Sequence, residues 1–181
     1  MSSRIGRSFL TLAAACVAGA FGGSPPVLEG PGAGLAVARG DVPWQACDLL
    51  TDEQVATVVP GHDGGHDQDT SEASLMKDVS LEHCKYYHGG PEGLVMLDVL
   101  VWRASSDEGF EQIAISEWGH SSDTKLDIGD VSFLEDGGGT WTATASKGRT
   151  VFELSLMADD AEAKSEQLVE LARRVAAKLW S

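Results

Sequence analysis

The chain has 181 residues, with 28 Asp and Glu against 13 Lys and Arg, and a formal net charge of −15. A surface this acidic repels nucleic acid and anionic lipid headgroups, although acidity serves solubility before it serves any partner. Residues 41–181 are enough for one hydrophobic core and too few for two comfortable domains.

Arg4 and Arg7 precede the apolar run Phe9 to Ala20, and no Asp or Glu occurs before Glu29. That is the layout of a secretory signal peptide, assigned to residues 1–20. Cys16 has two readings. In Leu12-Ala13-Ala14-Ala15-Cys16 the small residues resemble a bacterial lipobox, which would make Cys16 a lipidated first residue, but Ala13 stands where Leu is usual. Ordinary cleavage after Ala18-Gly19-Ala20 or Ala36-Val37-Ala38 is the favoured alternative. The run is shorter than the roughly 20 apolar residues a spanning helix needs. Residues 21–40, rich in Gly, Pro, Ala and Ser, follow as a flexible spacer or the remainder of the signal region. Export would place the rest of the chain where disulfides persist. Cys47 and Cys84 are then the only cysteines certain to remain, and a single bridge between them is the economical pairing.

The domain of residues 41–181 begins with Thr51-Asp52-Glu53-Gln54, a capping box that opens a short helix with Val55, Val58 and Val59 on one side and Pro60-Gly61 as its stop. Gly61 to Ser80 is polar and reads as a long surface loop. Cys84 to Tyr87 and Leu94 to Trp102 then read as paired strands around the turn His88 to Gly93. The second strand is apolar on both faces apart from Asp98, which marks it as central. Ser105 to Glu108 forms another capping box, launching a helix with Phe110, Ile113, Ala114 and Trp118 on a stripe and Gly119 as its stop.

Val131 to Leu134 is a short strand, followed by the turn Glu135 to Gly139. A hairpin of Trp141 to Ser146 and Thr150 to Met157 turns at Lys147-Gly148-Arg149. On its second arm Phe152, Leu154 and Leu156 alternate with Glu153 and Ser155, giving one buried face and one that meets water or a partner. A last helix from Asp159 or Asp160 aligns Leu168, Ala172, Val175 and Leu179, with Arg173, Arg174 and Lys178 near its C-terminus. These elements predict an α+β domain with an antiparallel sheet of about five strands covered by amphipathic helices.

Cys47-Asp48-Leu49-Leu50-Thr51 with Val55 beyond it, Cys84-Lys85-Tyr86 opening a strand, Gly109-Phe110-Glu111 in a helix, and Asp127-Ile128-Gly129-Asp130-Val131-Ser132-Phe133 before a hairpin occur in that order. Over roughly Pro43 to Leu179 the chain thereby resembles small secreted bacterial domains of unknown function typified by actinobacterial lipoproteins. The resemblance implies a disulfide-bearing extracytoplasmic α+β domain, often lipid-anchored, and it brings no catalytic residues.

The sharpest chemical candidate is His62-Asp63-Gly64-Gly65-His66-Asp67-Gln68-Asp69, where His62, His66 and Asp67 could ligate zinc or another divalent ion, with His83 or His88 completing the shell. The competing reading, a solvated acidic loop, is preferred because no helix or strand fixes these ligands. His120, Ser121, Ser122 and Asp123 hold the letters of a hydrolytic triad, but adjacent loop residues seldom converge. There is no GxSxG element and no phosphate-binding loop. Trp118, Trp141 and Tyr87 could line a groove, but at their spacing they read first as core. The resulting expectation is a secreted or periplasmic, non-catalytic binding module without a cofactor. Its partner would be an unknown protein, peptide or small ligand of the envelope, not nucleic acid, with membrane contact only through a lipid anchor. The alternative is a metal-binding or hydrolytic envelope protein using the His62 and His66 loop.

Overall fold

A computed structural model describes residues 45–70, 76–91, 93–117 and 124–181, with backbone alone for 114–117. The signal region with Cys16, the spacer, Trp118, Gly119 and the run from His120 to Asp123 lie outside the described residues. Helix α1 (Asp52–Val55) starts as its sequence dictates: Thr51 Oγ1 accepts from the Gln54 N–H, and the Gln54 side chain accepts from the Thr51 N–H. Val55, Val58 and Val59 are fully buried.

Strands β1 (His66–Asp67), β2 (Val79–Gly90) and β3 (Gly93–Ala104) form a meander. Helix α2 (Asp107–Glu117) follows, then β4 (Thr124–Lys125), β5 (Val131–Asp136), β6 (Thr140–Lys147) and β7 (Thr150–Met157), and finally α3 (Ser165–Leu179). The expectation of a five-stranded sheet covered by helices is overturned. Among the described residues the sheet has seven strands in the order β1-β2-β3-β7-β6-β5-β4, every neighbouring pair is antiparallel, and the helices are few and short. Two strands escaped the sequence because β1 and β4 are two residues each, too short for any period to register. The stretch read as a surface loop therefore contains β1 and the first two residues of β2.

Two meanders meet at the β3–β7 seam, with register Leu97↔Leu156, Val99↔Leu154 and Val101↔Phe152. Strand period sends these six side chains to one face, where all are fully buried. Leu168, Ala172 and Val175 of α3, Val55 of α1, Val58, Val59 and Leu49 join them in the main core. On the opposite face a second, smaller core of Trp102, Val151 and Ile113 from α2 covers one end of the sheet. The rest of that face is not covered by a helix among the described residues.

The start of α2 differs by one residue from its expected cap. Ser106 Oγ, and not Ser105 Oγ, accepts from the Gly109 N–H, while Ser105 Oγ donates to the Asp78 carbonyl. Gly109 is needed there because a Cβ would come within 2.9 Å of the Asp78 carbonyl oxygen. Arg149, in the β6–β7 turn, anchors the same corner by pairing with Asp107 at 2.7 Å.

Candidate functional site

Period two in β2 decides what the histidine loop can do. Tyr86 points to the main core and Tyr87 to the open face. His62 packs edge-on against Tyr86, whereas His66 stacks on Tyr87 with ring centroids 5.1 Å apart. The two histidines that a shared ion would require are thus held against opposite faces of the sheet. Both His62 ring nitrogens are engaged, Nδ1 accepting from the Gly64 N–H and Nε2 donating to the Asp52 carbonyl. His66 Nε2 lies 2.9 Å from Asp63 Oδ1, and that bond holds the Asp63 carboxyl below its ordinary range.

Asp67 lies beside the disulfide instead, opposite Cys84 in the β1–β2 register. Among the described residues, one group of three ligand-type side chains converges, and it is Cys47, Asp67 and Cys84. The two cysteines of that group are consumed by the Cys47–Cys84 bridge, which forms as expected. His62, His66 and Asp67 do not come together as a metal-binding set. Gly65 packs against the bridge so closely that a Cβ would lie 2.8 Å from Cys84 Sγ. The Tyr86 hydroxyl donates to the Cys47 carbonyl at 3.1 Å. Burial, followed by the nearby carboxylates of Asp52, Asp48 and Asp67, pushes the Tyr86 phenol up to about 12.

The open face carries the arrangement that sequence reasoning did not assemble. Pairing registers set His66, Lys85, Asp98, Ser155, Thr142 and Glu135 side by side across β1, β2, β3, β7, β6 and β5. Asp98 is the hub: His83 Nε2 lies 2.6 Å and Lys85 Nζ 3.5 Å from its Oδ1. The Thr142 and Ser155 hydroxyls are 3.2 Å apart. Asp98 is only 14% exposed and His83 only 21%, deep for ionisable side chains on a face that no helix covers there among the described residues. One register step away runs an apolar row of Tyr87, Met96 and Met157. Tyr87 is 42% exposed and Leu94, diagonal to it, 50% exposed.

The signal for this face was present as Asp98 in an otherwise apolar strand and as the alternation of Glu153 and Ser155. What sequence could not supply was the strand order that aligns them. Tyr87 and Trp141 do not share a groove, because Trp141 packs against the main core on the other face. No family model matches the chain, and no curated protein or solved structure shows significant similarity to it.

Proposed function

We propose that this chain is an exported, non-catalytic binding module that engages its partner through the open face of the sheet. The observation that carries the reading is the exposed pair Tyr87 and Leu94, flanked by Met96 and Met157 and bordered by the Asp98 cluster. Aromatic and methionine side chains with a polar border are the composition of an interaction surface. Asp98, His83 and Lys85 are engaged with one another, and the hydroxyls of Ser155 and Thr142 bond each other and not His83. That arrangement supports holding a ligand more than activating a nucleophile. Export is supported by the charged-then-apolar N-terminus and is consistent with the disulfide.

The test is site-specific photocrosslinking in the native envelope, with the reactive group placed at Tyr87, at Leu94, or at exposed Glu166 on α3. Specific adducts at the first two positions and none at Glu166 are expected. Adducts confined to Glu166 would place the binding surface on the helix and reject the open face.

A further inference from the structure

We infer that the ligand of the open face is a neutral polyhydroxylated chain, a glycan, lying across the strands along the row His66, Lys85, Asp98, Ser155, Thr142 and Glu135. This inference rests on the open face being the binding surface. Six strands make five steps of about 4.8 Å, so the row spans roughly 24 Å, the dimension of an extended ligand and not of a single small molecule.

The chemistry of the row selects the ligand class. Lys85 offers only donors, the carboxylates of Asp98 and Glu135 only acceptors, and Ser155 and Thr142 both. Lys85 and Asp98 neutralise each other at 3.5 Å, so the centre of the row asks for no net charge. An anionic chain would meet Asp98 and Glu135 on a protein of net charge −15. A hydroxyl, which donates and accepts at one atom, is the group that can satisfy every member of the row, and it replaces the water it displaces bond for bond. The ring of Tyr87, held by its stack on His66, lies beside the row and offers an apolar surface to the C–H face of a sugar.

An extended peptide fits less well. The backbone groups of a sheet are spent within its ladders, so a peptide gains strand pairing only alongside an outer strand and not across the face where this row lies. Simple solvation of a polar sheet face would account for the hydroxyls. It does not account for a carboxylate 14% exposed and bonded to two basic side chains, set against an exposed tyrosine and leucine.

The experiment is amide NMR on the oxidised protein titrated with chitohexaose, cellohexaose and maltohexaose at millimolar concentration. At least one hexaose is expected to give saturable shifts at open-face positions of β2, β3, β7 and β6. Tyr87→Ala, and separately the conservative Thr142→Val, should weaken that binding by about tenfold each while the remaining spectrum keeps its dispersion. If no hexaose gives saturable shifts, or if both variants leave them unchanged, the glycan assignment is wrong. Photocrosslinking separates that failure from the failure of the surface itself. Specific adducts to an envelope protein at Tyr87, with all hexaoses silent, would retain the open face and discard the glycan; silence of both methods at this face would remove both.

Discussion

Tyr86 and Tyr87 are neighbours in sequence with opposite environments, and the difference gives a pH prediction. The Tyr86 phenol is raised from 10.0 to about 12, chiefly by burial, so the folded state holds its proton more tightly than the unfolded chain does. The stabilisation is therefore fully present below pH 10 and is lost as pH rises from 10 to about 12. Denaturant unfolding at pH 9 and pH 11 should show a stability drop that shrinks in Tyr86→Phe; an equal drop in both proteins would refute the assignment. At neutral pH the same variant loses the bond to the Cys47 carbonyl and should cost about 1 kcal/mol. At this scale the sequence was partly legible. Two cysteines downstream of a charged and then apolar N-terminus point to a bridge without knowledge of the fold. Two histidines four apart imply a shared ligand only if the backbone between them keeps both on one side. Here the chain turns at Gly64, with φ of 119°, and enters β1, so His62 and His66 part company.

At the scale of elements, the bridge ties the short 3-10 turn Ala46–Asp48, just before α1, to the middle of β2 across a separation of 37 residues. Chain entropy for a loop of that size corresponds to about 4 kcal/mol of stabilisation. The loop adds few helical or strand hydrogen bonds of its own, since α1 is a single turn and β1 two residues. Replacing both cysteines by Ser should lower the melting temperature by on the order of 10–15 °C. A change of under about 3 °C would mean that the core packing of α1, and not the bridge, fixes this corner. Long elements were legible because period and caps agree, as in α3 and the β6–β7 hairpin. The shift of the α2 cap from Ser105 to Ser106 was not legible, since it depends on Asp78, which is distant in sequence, drawing the Ser105 hydroxyl away. The segment Asp127 to Phe133 proved structural in the same way. Asp130 Oδ2 accepts from the Gly148 N–H at the β6–β7 turn, and Gly129, at φ of 67°, leaves room for Trp180.

For the molecule as a whole, the β3–β7 seam joins two meanders that are otherwise separate in sequence, and this sets where the fold is strongest. β2 pairs with β3 along its full length, β3 with β7 over eight residue pairs, and the order then decays outward to two-residue strands at both edges. β3 and β7 supply Leu97, Val99, Val101, Phe152, Leu154 and Leu156 to the main core on one face, and Trp102 and Val151 to the second core on the other. The chain could not reveal this arrangement from its strands alone. β3 and β7 are 45 or more residues apart, and local pattern carries no information about which distant strands pair. Amide hydrogen exchange near neutral pH should therefore be slowest at Val99, Val101, Phe152 and Leu154. Exchange should quicken through β2 and β6 and be fastest at His66, Asp67, Thr124 and Lys125. If the two meanders instead open as independent units, the seam amides will exchange as fast as those of the outer strands, and the domain will unfold in two steps and not one. The open face makes the one-step outcome a requirement of the proposed function, because its row of side chains crosses the seam between Asp98 and Ser155. A ligand bound along that row contacts both meanders at once, so its binding should slow exchange at the seam further and leave the edge strand β4 unchanged.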